Sequence, residues 1–143
     1  IPSLKIVIAG AGDTSPYTSL FNELRDNLEL KLYEIPNDEI ASLFGHVDYL
    51  VLPYIEASQS GVIPLAYSFG KPVIASDVGA ISEQVTLDTG ILVEPGNVEH
   101  LASAIIALTM DRQRILSMSV CAKKFSQKEM KWEAAALKLL KSI

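Results

Sequence analysis

The fold of this chain follows from residues 51–77, VLPYIEASQSGVIPLAYSFGKPVIASD. This stretch reads as a buried strand closed by Pro53, a polar turn, a helix and a second buried strand. The helix is indicated by apolar residues at helical spacing, which are Val62, Leu65, Ala66 and Phe69. Gly70 follows at the position where a helix C-terminus favours a left-handed residue. The stretch therefore predicts one repeat of an α/β sheet.

The turn inside this stretch, residues 58–61, has the features of an anion site. Free backbone N–H groups and the positive end of the helix dipole converge at a helix N-terminus, and Gly61 would let a phosphate approach the main chain. A turn of this composition also serves simply to cap a helix, with Ser60 as the capping residue. The turn alone leaves both interpretations open.

The rest of the chain repeats the alternation of strand and helix. Apolar and β-branched runs predict further strands at residues 4–9, 28–33 and 91–93. Residues 112–143 are predicted to be helical, with a break near Phe125 and Ser126. This alternation predicts an α/β fold, a Rossmann-like doubly wound parallel sheet with helices on both faces.

Three turns of the predicted fold follow strands, at residues 10–13, 53–61 and 77–80. In doubly wound sheets, ligands bind outside the carboxyl ends of the strands. Because all three turns fit that position, their convergence favours a ligand site over a simple helix cap.

Composition and charge exclude several classes of function. The chain has 143 residues, of which 49% are hydrophobic, so it can bury the core of one domain. Its net charge of −5 argues against charge-driven binding of nucleic acid. No apolar run reaches the roughly 20 residues of a membrane span. The single cysteine, Cys121, excludes an internal disulfide and fits a reducing compartment, so we expect a cytoplasmic protein.

Other chemistries fit the sequence less well. Gly10 and Gly12 after a strand suggest a dinucleotide fingerprint, but Ser15 stands in the place of its third glycine. His46 and His100 are isolated in the sequence, so no metal site is predicted. Aspartates near strand ends are typical of phosphate-accepting receiver domains, but no lysine ends the fifth strand as such domains require.

Several runs of residues carry a resemblance to a known family. They are residues 48–53 (DYLVLP), 60–66 (SGVIPLA), 70–79 (GKPVIASDVG) and 89–97 (TGILVEPGN), together with Glu83. In these runs the chain resembles the C-terminal, donor-binding domain of GT-B glycosyltransferases, in the retaining family called glycosyl transferases group 1. The resemblance implies a domain that binds a nucleoside-diphosphate sugar, whose sugar is transferred to a polysaccharide, lipid or other glycan.

The donor phosphates are expected over the backbone amides of Ser60, Gly61 and Val62 at the helix N-terminus. Charge builds on the leaving diphosphate as the glycosidic bond breaks, and fixed dipoles aimed at it stabilise that charge without a metal. Gln59 is expected to hydrogen-bond the diphosphate or the sugar. We therefore expect no metal and no cofactor, with the nucleotide sugar as substrate.

Three further residues are expected to contact the donor. Gly12 and Gly79 would give close backbone approach to the nucleotide and the sugar. Glu83 reads either as a carboxylate of a helix turn or as a contact to the base or ribose. The sequence leaves these two interpretations of Glu83 open.

The chain departs from the family pattern at its acidic motif. The family commonly has two glutamates eight positions apart, the first contacting the donor sugar and the second the ribose. Ala57 and Leu65 occupy those places in this chain. Glu56, one residue before the first place, is the candidate catalytic residue if the loop shifts its register.

Two parts of the family pattern have no counterpart in this sequence, namely the strand with the phosphate-clamping Gly-Arg pair and Lys, and the N-terminal acceptor domain. We therefore expect residues 1–143 to be a single nucleotide-sugar-binding domain, a fragment that is inactive alone. The expected partners are the donor and a glycan or lipid acceptor bound through the missing domain, but no nucleic acid.

The last predicted helix, with Trp132, Leu137 and Leu140, leaves an apolar face uncovered, which predicts self-association of the fragment. A second expected association is peripheral binding of the full-length protein to a membrane. The competing hypothesis is a catalytically degenerate domain of the same fold, which binds a nucleotide or only packs.

Overall fold

The structure is a computed structural model that describes residues 4–128. The chain divides into two compact units, one ending at Leu43 and the other beginning at Phe44. Each unit contains a parallel sheet, so the predicted α/β class is confirmed. Within the described range no helix combines the length and apolar character that crossing a membrane requires.

The first unit is built on two parallel strands. They are β1 (Ile6–Ala9) and β2 (Leu28–Lys31), with Ile6 opposite Leu28. A 3-10 turn (Ser15–Tyr17) and helix α1 (Thr18–Leu24) connect them. The Asp13 carboxylate accepts a hydrogen bond from the Ser15 N–H at 3.0 Å, which lowers the pKa of Asp13. The predicted helix start after the first strand is therefore a 3-10 turn that leads into α1.

The second unit contains a parallel sheet of three strands in the order β3-β4-β5. The strands are β3 (Leu50–Leu52), β4 (Val73–Ser76) and β5 (Gly90–Val93). The helices are α3 (Val62–Ser68), α4 (Ile81–Gln84), α5 (Val98–Met110) and α6 (Arg112–Lys128), while α2 (Asn37–His46) crosses the boundary between the units. Among the described strands, β1 pairs only with β2 and β3 only with β4, so the sheet predicted as one is hydrogen-bonded as two.

The core of the second unit lies between the sheet and helices α5 and α6. Ile74 and Val93 pack with Ala104 and Leu108 of α5, and with two residues of α6. The residues of β4 are all buried, so this strand is covered on both faces. Strands buried on both faces read as continuous apolar runs, which is why β4 was recognisable in the sequence.

Two local signals are confirmed at the ends of elements. β3 ends at Leu52, directly before Pro53, which cannot donate to the ladder. Gly70 has a φ of +66° and lies just beyond the C-terminus of α3, with its N–H donating to the Tyr67 carbonyl oxygen. Both residues act through their own backbone, so neither signal depends on distant contacts.

The predicted break near Phe125 and Ser126 is wrong, because α6 continues without interruption to Lys128. The Ser126 hydroxyl donates to a carbonyl of the preceding turn, which a helix tolerates. The Phe125 ring packs edge-on against Tyr67, with 5.7 Å between ring centroids. Phe125 therefore belongs to the face of α6 that packs against α3. The remainder of the final helix, including Trp132, Leu137 and Leu140, lies outside the described residues.

Candidate functional site

The carboxyl ends of the strands in the second unit lie at one edge of its sheet. The register places the last residue of β3 opposite Ala75 and the last residue of β4 opposite Val93. Because the strands are parallel, the loops that follow them leave from this edge. Two of the predicted ligand turns, residues 53–61 and 77–80, therefore meet here. The third, residues 10–13, belongs to the first unit.

The two loops touch at Gly79. This residue has a φ of +53°, and a Cβ atom built on it would lie 2.1 Å from the Ala57 carbonyl oxygen. The neighbouring Ala80 N–H donates to the Ser58 carbonyl oxygen at 2.8 Å. The space that a side chain would need at position 79 is thus filled by the chain itself. Gly79 serves the contact between the loops, and its predicted contact with a ligand stays a prediction.

Gln84 holds the main chain of the first loop. Its Oε1 accepts from the Ser60 N–H at 3.0 Å, and its Nε2 donates to the Ser60 carbonyl oxygen at 2.9 Å. A side-chain amide can satisfy one backbone donor and one backbone acceptor in this way. Because Ser60 is buried, leaving either group unpaired would be costly. Gln84 therefore fixes the position of the turn that precedes α3.

The three backbone amides predicted to meet a phosphate differ in their surroundings. The Ser60 N–H is taken by Gln84, and the Val62 N–H donates to Ser60 Oγ at 3.2 Å. Gly61, between them, is exposed and has no atom within 4 Å of a Cβ built on it. The Tyr54 hydroxyl lies 3.3 Å from the same Ser60 Oγ atom. The N-cap residue of α3 is Gly61, one residue after the predicted Ser60. Of the three N–H groups, only that of Gly61 has no hydrogen-bond partner among the residues that the structure describes.

Tyr67 supports this arrangement from inside the domain. The side chain is fully buried, and its hydroxyl lies 3.1 Å from the Gln84 carbonyl oxygen and 2.9 Å from Thr89 Oγ1. Burial raises the pKa of Tyr67 to about 12. Thr89 Oγ1 in turn accepts from the Thr86 N–H at 3.0 Å. The network links α3, α4 and the start of β5, and so fixes Gln84.

The polar side chains predicted for donor contacts at this edge are exposed. Glu56 and Gln59 lie in the loop after β3, and Glu83 lies in the first turn of α4. Leu65, at the place of the second motif glutamate, is half-buried on α3. Glu56, Gln59 and Glu83 belong to the loops and the helix start at this edge, and their roles stay predictions.

Gly12 lies in the first unit, in the loop after β1. It is exposed, and no atom lies within 4 Å of a Cβ built on it. The neighbouring Gly10 has a φ of +138° and therefore needs the conformational freedom of glycine. The space around Gly12 is open, and its predicted approach to a nucleotide stays a prediction.

No group of three or more His, Cys, Asp or Glu side chains that could hold a metal ion occurs within residues 4–128. His46 ends α2, and His100 lies in the first turn of α5. The Glu94 N–H donates to His100 Nδ1 at 3.1 Å, so this imidazole closes the turn before α5. The expectation of donor binding without a metal stays a prediction.

Sequence reasoning missed Gln84 and Tyr67. Gln84 stands next to Glu83 in the same short helix, but nothing in its spacing marks it as the partner of Ser60. Tyr67 appeared only as one residue within an apolar helix. The available signal was the Tyr67 hydroxyl, a polar group within an otherwise apolar helix. A buried hydroxyl requires a hydrogen-bond partner.

Comparison with known families and proteins identifies relatives of the chain. A family model described as "Glycosyl transferases group 1" matches residues 2–111. The chain is 31% identical over 94 residues to a GDP-mannose-dependent alpha-(1-6)-phosphatidylinositol monomannoside mannosyltransferase from Mycobacterium tuberculosis, covering 65% of this chain and 22% of the relative. It is 31% identical over 143 residues to a D-inositol 3-phosphate glycosyltransferase from Corynebacterium aurimucosum, covering 95% of this chain and 34% of the relative.

Solved structures share the fold. Sucrose-phosphate synthase from Thermosynechococcus elongatus superposes with a TM-score of 0.81 at 24% identity, over 96% of this chain and 37% of that one. HepE from Anabaena, in complex with UDP, superposes with a TM-score of 0.78 at 19% identity, over 100% of this chain and 42% of that one. At these identities the likeness establishes the fold. The chain spans about a third or less of the curated relatives described above.

Proposed function

Since this chain belongs to the glycosyl transferases group 1 family, we propose that it binds the nucleoside-diphosphate sugar donor of a glycosyltransferase. The sugar is transferred to a glycan or lipid acceptor, in glycan biosynthesis in the cytoplasm. One observation carries the proposal beyond family membership. The turn before α3 is held by Gln84 and by the loop around Gly79, and it leaves Gly61 open at the carboxyl edge of the sheet.

The phosphates are assigned to the Gly61 end of this turn. Ser60 and Val62 donate their N–H groups within the protein, so their role is to hold the turn. The exposed Gly61 main chain is free of side-chain obstruction, and a phosphate oxygen can approach it closely. Dipoles already fixed in place stabilise the charge that builds on the leaving diphosphate without reorganising at the moment of reaction.

The names of relatives support a nucleoside-diphosphate donor. The mycobacterial relative is described as GDP-mannose-dependent, and the Anabaena structure contains UDP. GDP-mannose and UDP each contain a nucleoside diphosphate. They support a diphosphate at this edge of the sheet but do not identify the nucleotide base. Glu56 is proposed as the acidic residue near the transferred sugar, with Gln59 beside it in the same exposed loop.

The test is a calorimetric titration of this chain with UDP, GDP, UDP-glucose and GDP-mannose. Gly61 has a φ of −74°, so Gly61→Val introduces no left-handed strain. Its branched side chain blocks close approach, and we expect one nucleotide to lose affinity by about tenfold or more, the equivalent of a charge-assisted hydrogen bond.

Gly45→Val serves as the matched control, because Gly45 is exposed on α2 with open space around it. Its nucleotide affinity should equal that of the unchanged chain. Equal loss in both variants, or unchanged affinity in Gly61→Val, would contradict the placement of the phosphates. No binding of any nucleotide by the unchanged chain would contradict the proposed function.

A second candidate function is a degenerate domain that binds a nucleotide without supporting transfer. The observation that favours it is the presence of Ala57 and Leu65 where the family commonly has glutamates. Neither side chain can hydrogen-bond a sugar hydroxyl. In the natural protein that contains this chain, nucleotide binding together with absent sugar transfer would favour this candidate, whereas transfer abolished by Glu56→Gln would favour the first.

A further inference from the structure

A small pocket opens at the same edge of the sheet, away from the turn that Gln84 holds. Its volume is about 190 Å³. It is bounded by Pro53 and Ile55 after β3, by Ser76 at the end of β4, and by the first turn of α5 with Val98. Neither Gly61 nor any residue of its hydrogen-bond network lines it, so this pocket is distinct from the proposed phosphate position.

The pocket lies on the face of the sheet that α5 covers. Ser76 and Ile74 are two residues apart on β4, so their side chains point to the same face. Ile74 packs against Ala104 and Leu108 of α5. The Ser76 side chain therefore points toward α5, whose first turn forms one wall of the pocket.

The Ser76 hydroxyl has no hydrogen-bond partner among residues 4–128, although only 2% of the residue is exposed. In that part of the chain every fully buried side-chain nitrogen or oxygen atom has a partner. The unpaired hydroxyl must therefore keep access to the pocket that Ser76 lines. A nearly buried hydroxyl that faces a pocket without a partner points to a ligand that can hydrogen-bond it.

The walls and the rim restrict the chemistry of that ligand. Ile55 is 68% exposed and Val98 is 77% exposed, so two apolar side chains stand open at the mouth of the pocket. Glu94 lines the rim, where its Oε2 accepts from Asn97 Nδ2 at 2.7 Å, and Glu99 follows in the first turn of α5. Two carboxylates near the N-terminus of α5 oppose a bound anion and favour a neutral ligand that donates hydrogen bonds.

The size of the pocket suits one ring. A cavity of about 150 Å³ holds a benzene molecule. A pocket of about 190 Å³ therefore accommodates one six-membered ring with substituents. A pyranose has an apolar C–H face for Ile55 and Val98, and hydroxyl groups for Ser76 and Glu94.

We propose that this pocket is a subsite for one neutral pyranose ring, hydrogen-bonded by the Ser76 hydroxyl and packed against Ile55 and Val98. The ring is either the sugar of the donor or a sugar of the acceptor, and this choice of sources rests on the proposed function. The subsite itself rests on the pocket and on Ser76, so it can be tested without a nucleotide.

The experiment is a nuclear magnetic resonance titration of this 143-residue chain with methyl α-glucopyranoside and methyl α-mannopyranoside at millimolar concentrations. We expect the signals of Ile55, Ser76 and Val98 to shift in saturable fashion with at least one glycoside. Ser76→Val removes the hydroxyl and adds a methyl group toward the pocket, so it should weaken these shifts further than removal of the hydroxyl alone. Ser76→Ala removes only the hydroxyl and should weaken binding by about threefold to tenfold, as expected for one hydrogen bond.

Ser103→Val is the matched control, since Ser103 is an exposed serine on α5, outside the pocket. It should bind as the unchanged chain does. The proposal is overturned if neither glycoside shifts these signals, or if Ser76→Ala, with its spectrum otherwise unchanged, binds both glycosides with full affinity. Should Ser76→Val fail to fold, Ser76→Ala still decides.

Sugar nucleotides distinguish the two sources of the ring. If saturating UDP-glucose or GDP-mannose displaces the glycoside from the pocket, the ring belongs to the donor. If both bind together, it belongs to the acceptor. Nucleotide binding without any glycoside shift would overturn the subsite alone, and glycoside shifts without nucleotide binding would overturn the proposed function alone.

Discussion

At the scale of single residues, the site depends on side chains that satisfy backbone groups of a distant loop. Gln84 and Ser60 are 24 positions apart in the sequence, yet they exchange two hydrogen bonds. Loops without regular structure carry backbone groups that no ladder satisfies, and such groups need side-chain partners when they are buried. One amide side chain therefore substitutes for secondary structure at the turn before α3.

Gln84→Leu removes both of these hydrogen bonds and leaves the buried backbone of Ser60 unpaired. We expect the free energy of unfolding to fall by about 1–3 kcal/mol, the cost of an unsatisfied buried group. Nucleotide affinity should fall as well, because the turn loses its fixed position. Urea denaturation and calorimetric titration check the two effects.

Gln113→Leu on α6 is the control for this substitution, because Gln113 is exposed. It should change the free energy of unfolding by no more than about 0.5 kcal/mol, as is usual for surface positions. Equal stability of the two variants would show that the paired hydrogen bonds of Gln84 contribute nothing.

Gly79→Ala separates crowding from backbone strain. Gly79 and Gly96 both have positive φ, but only Gly79 would place its Cβ against a carbonyl oxygen, whereas a Cβ at Gly96 meets nothing within 4 Å. Gly79→Ala and Gly96→Ala both introduce the strain of an alanine in the left-handed region, about 1–2 kcal/mol. We expect Gly79→Ala to lower the thermal midpoint of unfolding further than Gly96→Ala does. Equal midpoints of the two variants would contradict the close contact between Gly79 and Ala57.

At the scale of elements, the short helix α4 is held by the helix beside it. The helix spans only Ile81–Gln84, which is too short to be stable by itself. The buried Tyr67 hydroxyl on α3 lies within hydrogen-bond distance of the Gln84 carbonyl oxygen and of Thr89. The position of α4 is therefore determined by packing.

Tyr67 makes stability depend on pH at the alkaline end. Burial raises the pKa of its hydroxyl from 10.0 to about 12, because the phenolate is disfavoured in the core. The unfolded chain therefore loses this proton at lower pH than the folded chain. The stabilisation is complete below pH 10 and is lost as the pH rises toward 12.

Tyr67→Phe removes this contribution, so its stability should decline less steeply than that of the unchanged chain between these pH values. Urea denaturation of both proteins across the alkaline range measures the difference. Tyr49, whose pKa is also raised by burial, remains in both proteins and cancels in the comparison. Parallel curves would show that Tyr67 ionises as freely in the folded state as in the unfolded one.

At the scale of the whole molecule, the chain corresponds to part of the proteins it resembles. It spans 34% of the corynebacterial relative and 37% of the cyanobacterial sucrose-phosphate synthase chain. Catalysis of transfer requires that donor and acceptor be held in the reacting geometry, which supplies a large part of the barrier reduction. Binding of a donor by this chain therefore does not by itself produce transfer.

We predict that this chain binds a nucleotide without transferring sugar. Incubation with UDP-glucose or GDP-mannose and simple glycosides, followed by mass spectrometry, should give no glycosylated product above that formed without protein. Robust turnover by the 143-residue chain would contradict the prediction.

Much of the fold was predictable from local signals. The apolar run of β4, the strand end before Pro53 and the left-handed Gly70 were all recognised because each acts within a few residues of itself. The interruption predicted near Phe125 was wrong because that ring packs against Tyr67, a contact between α6 and α3 that local spacing does not encode.

The sequence by itself determined the α/β class, the order of strands and helices and the family, because periodicity, turn chemistry and motifs are local properties of the chain. Only the tertiary structure decided that Gln84 holds Ser60, that Gly79 makes room for Ala57, and that the Ser76 hydroxyl faces a pocket. The physical reason is that these contacts join residues from different loops and strands at one edge of a sheet. Which of them meet depends on strand register and helix packing.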